Sequence, residues 1–105
     1  LIHRVCEFYK LFHKQFVLFP RQDRILGQKI ENVILEIIEL TLAAIYSPRE
    51  MKGKIISSAS DKIDLIKHLV RIAYEIRSVD LKAYLILEKE VLEIGKMCGG
   101  WLKSV

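Results

Sequence analysis

A chain of 105 residues is long enough to enclose one hydrophobic core and too short for two ordinary domains, so one domain over 1–105 is expected. Hydrophobic residues at 51%, charged residues at 29%, five Gly and two Pro exclude disordered, collagen-like and proline-rich chains, and two cysteines exclude a disulfide-dense scaffold. Seventeen Lys and Arg against thirteen Asp and Glu give a net charge of +4, a mild basic bias that suits a polyanionic partner without identifying one.

Breaks are few, and the stretches between them are rich in Leu, Ile, Glu, Lys and Ala. The first predicted helix covers about Ile2–Leu18, with Val5, Phe8, Tyr9, Phe12 and Phe16 at helical spacing, and it ends at Phe19-Pro20. The second covers about Arg21–Ile45. Its apolar face reads Leu26, Ile30, Val33, Ile34, Ile37, Thr41 and Ala44. The third starts somewhere in 48–56 and runs to Arg77. Ser47-Pro48-Arg49-Glu50 resembles a capping box with Pro at the first helical position, whereas Gly53 and the serines at 57, 58 and 60 point to loose first turns. The fourth covers about Leu81–Lys103, with Asp80 as N-cap. There, Gly95 and Gly99 are expected to allow close helix approach, Gly99-Gly100 to loosen the last turn, and Trp101 to pack back on the bundle. Four helical segments joined by short breaks predict an all-α, antiparallel up-and-down four-helix bundle.

The apolar faces are wide. At about 100° per residue, the aliphatics of the third segment cover roughly half its circumference, and Leu35 and Leu42 of the second fall on the side that should be polar. A monomeric bundle needs only a stripe somewhat wider than about 100°. Burial on two sides, and hence an oligomer, is the expectation. Lys62, Arg77 and Glu88 lie within the apolar arcs, which predicts either snorkelling or pairing across an interface.

Enzyme chemistry finds little footing. His3, His13 and His68 are isolated and Cys6 and Cys98 lie far apart, so no metal or other cofactor is expected. No Gly-x-Ser-x-Gly elbow or phosphate loop is present. The carboxylate pairs Glu36/Glu39 and Glu90/Glu93 read as solvated surface. The longest uncharged stretch, Leu40–Pro48, is far below the about 20 residues of a membrane span. Leu1–Cys6 is charged and does not read as a secretory leader, so a cytoplasmic protein with no membrane partner is expected.

Charge is uneven along the chain: +2 over residues 1–18, −1 over 19–47, +3 over 48–79 and zero over 80–105. Lys67 and Arg71 stand four apart on the polar face of the third segment, a like-charge spacing that costs a helix a few tenths of a kcal/mol. An arrangement that opposes folding slightly is a candidate for binding, and a polar face neutralised by Asp64 and Glu75 is the competing reading. The candidate phosphate-binding residues are therefore Lys67, Arg71 and Arg77, with Arg4, Lys10 and Lys14 of the first segment.

Three pieces are less generic: Phe19-Pro20, Leu26-Gly27-Gln28-Lys29-Ile30, and the C-terminal block Ile94-Gly95-Lys96-Met97-Cys98-Gly99-Gly100-Trp101-Leu102-Lys103-Ser104. Together they resemble the accessory variability determinant (Avd) proteins of diversity-generating retroelements, part of a four-helix-bundle family that includes proteins encoded by intervening sequences in 23S ribosomal RNA genes. The resemblance extends over the whole chain, and the C-terminal block is its most specific part. It implies a barrel-like homopentamer and no catalytic activity. It also implies binding to the element's reverse transcriptase and to RNA or DNA. Two features depart from the pattern: the spacing from Phe19-Pro20 to Leu26-Gly27 is slightly short, and Cys98 stands where a larger aliphatic is usual. The ribosomal branch of the family supplies the alternative, a structural bundle with no nucleic-acid role.

Overall fold

Four helices account for nearly all of residues 1–105, which a computed structural model describes throughout: α1 (Ile2–Phe16), α2 (Arg24–Ile45), α3 (Arg49–Glu75) and α4 (Leu81–Lys103), with a single 3-10 turn at Arg21–Asp23 and no strand. Each helix packs on its neighbours in sequence, and α4 returns to α1. Paired residues run in opposite order along neighbouring helices: Glu36 and Ala44 of α2 meet Lys62 and Lys52 of α3, and Ile56 and Arg71 of α3 meet Cys98 and Tyr84 of α4. This is an antiparallel, up-and-down arrangement. At about 1.5 Å per residue α3 alone is about 40 Å long, and it sets the 44 Å long axis.

The core contains 23 buried apolar residues from all four helices and the intervening loops. Phe8, Phe12 and Phe16 of α1 are buried, as is Phe19 in the turn that follows. Phe12 stacks near Phe16 with 6.1 Å between centroids, and both meet Phe19 edge-on. Thr41 sits in the core without a stranded hydroxyl, because its Oγ1 donates to the Ile37 carbonyl at 2.8 Å. Trp101 is half-buried and packs against the core, as expected. Cys6 and Cys98 are free thiols. Burial pushes the Cys98 thiol above its ordinary pKa, since the thiolate would be poorly solvated there.

The ends of the helices confirm some local expectations and correct others. Asp80 caps α4, its Oδ1 accepting from the Ala83 N–H at 2.8 Å. Ser47 does not cap α3. Its hydroxyl turns back to the Ala43 carbonyl, and Pro48 itself is the N-cap residue, extended at ψ 150°. The end of α2 is tied instead by Lys52, whose Nζ donates to the Ala44 and Ile45 carbonyls at 2.6 and 3.0 Å, where a cation also complements the helix dipole. The serines do not loosen α3, which is helical from Arg49. Ser58 shows how a serine is absorbed, its hydroxyl bonding back to the Lys54 carbonyl. Nor do Gly99 and Gly100 loosen α4, which continues to Lys103. A Cβ on Gly99 would meet nothing within 4 Å, and one on Gly95 would make only an ordinary 3.9 Å contact with Ile63. Close helix approach therefore does not require these glycines within one copy.

The third helix ends before Arg77 rather than at it. Ser78 N–H returns to the Ala73 carbonyl and Arg77 N–H to that of Tyr74, a Schellman closure. The residue that must turn left-handed in such a closure is Arg77 itself, at φ 67° and without the freedom of glycine. No helix is long and apolar enough to cross a membrane.

Candidate nucleic-acid interface

Lys67 and Arg71 project one turn apart from the side of α3 that borders α4. Lys67 lines a shallow groove of about 310 Å3 with Ser60, Asp64, Leu92, Gly95 and Lys96. It is exposed, with no carboxylate within 4.0 Å. Lys96, on the opposite wall, is held only loosely by Glu93 at 3.8 Å. It is a second cation at this groove that the linear pattern did not single out, because it comes from a different helix.

Arg71 is far from free. Its Nη1 donates to the Tyr84 hydroxyl at 3.4 Å, Tyr84 donates in turn to Glu88 at 2.6 Å, and Nε lies 3.6 Å from Glu75. The guanidinium is also 5.7 Å from the centroids of both Tyr74 and Tyr84, which are themselves stacked at 4.6 Å. The bond to Tyr84 raises the guanidinium pKa further above its already high value. Arg71 thus ties α3 to α4 and keeps part of its donor fork at the surface. Glu88, flagged as a charge within an apolar arc, is accounted for by the same chain of bonds.

The other basic candidates do not join this group. Arg4 of α1 donates through Nε to Glu90 of α4 at 3.0 Å, and this bond raises its pKa. Lys10 lies 3.4 Å from Glu7, whereas Lys14 is exposed with no carboxylate in reach. No Cα of α1 comes within 8 Å of one of α3, so the two basic helices lie diagonally across the bundle. Their charges cannot form one patch on a single copy. Arg77 sits at one end of the molecule, in the α3–α4 connection.

Two ion pairs show how the helices are held in register. Lys62, flagged in the apolar arc, reaches Glu36 of α2 at 2.8 Å within the same chain. It does not need a partner from a second copy. The bond to Lys62 lowers the Glu36 pKa, so the pair adds stability above the ordinary carboxylate range and loses it as pH falls through the lowered value. The second pair is one that the pattern did not reveal. Glu31 is only 7% exposed, with its Oε2 at 2.7 Å from His13 Nδ1 and its Oε1 accepting from the Tyr9 hydroxyl at 3.4 Å. Burial, and then the Glu31 charge, raise the Tyr9 pKa. No group of three or more His, Cys, Asp or Glu is placed to hold a metal ion.

The surface is marked by aliphatics as well as by charge. Ile72 and Ile76 are more than two-fifths exposed and continue the half-buried stripe Leu65–Leu69 down the α2 side of α3. Leu81, Leu85 and Leu92 do the same along α4 beside α3, where Gly95 and Gly99 continue the line. Leu35 and Leu42 are exposed on α2, as their position on the wheel predicts.

These features define an all-helical protein of four helices whose inter-helix polar contacts are structural ties and whose outer faces carry lysine and aliphatic side chains. The chain belongs to the bAvd-like family, the accessory variability determinant proteins, whose model matches residues 1–105. That membership points to an accessory protein of a diversity-generating retroelement. No curated protein sequence matches the chain.

Proposed function

We propose that this chain is a non-catalytic, cytoplasmic accessory subunit of a diversity-generating retroelement, acting as a ring of copies, a homopentamer, that binds RNA or DNA by its phosphates and docks the element's reverse transcriptase. In this role it supports mutagenic reverse transcription and retrohoming. The observation that carries the reading is Lys67, an exposed and unpaired cation on the α3–α4 groove, in a chain of this family. Lys67, Arg71 and Lys96 are the first candidates for phosphate contact, and Lys10 and Lys14 on the far side of the bundle are the second. Arg4 contributes less, since Glu90 already balances it.

The ring matters to the mechanism. A single copy offers a few scattered cations, and repetition turns them into a band whose weak contacts act together at high effective concentration. The exposed aliphatics Ile72 and Ile76 of α3, with Leu35 and Leu42 of α2, support self-association, because apolar faces of this kind gain most from being covered. Binding of this type is salt-sensitive and nearly blind to sequence.

A second reading, a structural bundle without a nucleic-acid role, draws on the pairing of Arg4, Lys10, Lys62 and Arg71 with carboxylates. Two measurements separate the readings. Light scattering across a gel-filtration peak is expected to give several times the 12.2 kDa chain mass, and a monomer at micromolar concentration contradicts the ring. Pull-down of the tagged chain from cells that express the whole element is expected to recover both the polymerase and template RNA. Recovery of neither supports the structural reading.

A further inference from the structure

The end of the bundle formed by the α1–α2 and α3–α4 connections has a chemistry unlike that of the sides. Ser78 of one connection donates through its hydroxyl to Asp23 Oδ2 of the other at 2.8 Å, which fixes the two segments against each other. Around that tie the surface is aliphatic: Ile25 is 87% exposed, Leu18 71%, Val17 68% and Leu81 53%. Interspersed are Arg21, Arg24, Arg77 and Lys82, all exposed and none within 4.0 Å of a carboxylate. The acidic residues nearby are occupied: Asp23 holds Ser78, Asp80 caps α4, and Glu75 faces Arg71.

Two further observations suggest that these cations are displayed. Arg24 lies over the Phe16 ring at 4.6 Å from its centroid, a contact that orients the guanidinium without neutralising it. Arg77 occupies the left-handed position of the Schellman closure, where glycine is strongly preferred and a side chain is strained. A guanidinium kept where it opposes folding, beside three unpaired cations and a set of exposed aliphatics, is costly unless something binds it.

We propose that this end of the bundle is a docking surface for a protein partner that presents aliphatic side chains ringed by carboxylates. Protein fits better than nucleic acid. Phosphates would satisfy the arginines but leave Val17, Leu18, Ile25 and Leu81 in water, and the aromatic rings here, Phe16 and Phe19, are buried and offer no base-stacking platform. An acidic, aliphatic surface covers both features at once, with arginine supplying the directional contacts. This rests on the reading that the chain serves a reverse transcriptase, and it assigns the polymerase to the bundle end and the nucleic acid to the groove beside Lys67.

The test uses the purified full chain, the polymerase encoded by the same element, and its template RNA, with both affinities measured separately. Arg77→Gly is expected to raise the thermal midpoint, by relieving the left-handed strain, and yet to weaken polymerase binding by about tenfold, as loss of an arginine anchor does. Leu18→Asp with Ile25→Asp, at positions exposed enough to leave the fold intact, is expected to weaken it at least as much. Binding of RNA alone is expected to stay at the wild-type value in both variants, and Lys67→Ala is expected to show the reverse pattern. Wild-type polymerase affinity in both end variants overturns the assignment, as does a fall in RNA affinity in step with polymerase affinity, which would place nucleic acid at this end. A wild-type chain that does not bind the polymerase overturns the proposed function, and this inference with it.

Discussion

Replacing Gly27 by Ala is expected to lower stability by about 2 kcal/mol, a strain at the upper end of the range for overpacking a filled core less what alanine's helix propensity returns. A Cβ on Gly27 would lie 2.3 Å from two ring carbons of Phe16 and 3.1 Å from Phe19. Phe16 cannot easily withdraw, with Phe12 stacked near it, Phe19 edge-on and Arg24 over its ring. Alanine as a better helix former returns at most about 1 kcal/mol of the strain. For a domain of this size the loss corresponds to a thermal midpoint lower by roughly 10 °C. Adding Phe16→Leu to Gly27→Ala is expected to recover part of the loss, since the smaller side chain leaves room for the methyl group. A midpoint that rises in the single variant would show that the ring moves aside freely.

Gly27 also shows how far the linear pattern reaches. It stands out in the sequence as part of Leu26-Gly27-Gln28, but its reason does not, because the atoms that exclude a side chain come from Phe16 and Phe19 in another helix and a turn. The same limit recurs elsewhere. The four helices were legible from apolar spacing, and Asp80 as a cap from its type and place, since both are local properties. The start of α3 was ambiguous because Gly53 and the serines have poor helix propensity, and packing against α2 and α4 overrides it. Ser47 could serve either neighbouring helix, and it bonds back to α2.

Charges divided in the same way. Lys62 is visible as an anomaly on its own helix but its partner is not, since Glu36 lies on α2; Glu88 has its partner Tyr84 one turn away on α4, and only the onward link to Arg71 of α3 is hidden. Glu31 is one of three glutamates on α2 and does not stand out by pattern, although it is the most buried acid, because its partners His13 and Tyr9 lie far upstream. The basic excess on α1 and α3 is legible segment by segment, but only the square arrangement of helices shows it to be split between opposite corners.

That split makes Lys67 and Arg71 the informative pair to remove. The double change Lys67→Ala, Arg71→Ala is expected to keep the fold, because Lys67 has no partner and Arg71 is more than half exposed. It is not expected to stabilise, although like charges four apart repel. Arg71 also bonds Tyr84 and faces Glu75, so relief of repulsion is offset by loss of those contacts. RNA affinity is expected to fall, with the slope of log affinity against log salt flattened by roughly one unit per lost phosphate contact. The effect should be similar for unrelated RNA sequences, since phosphate contacts carry no sequence information. The single variants then divide the roles. Lys67→Ala should account for most of the change in slope, whereas Arg71→Ala should shift the unfolding midpoint more and the slope less, because its guanidinium is already partly engaged within the protein. An unchanged affinity and slope in the double variant would make the α3–α4 groove an ordinary solvated face. The search for phosphate contacts would then move across the bundle to Lys14, the exposed cation of α1 with no carboxylate in reach.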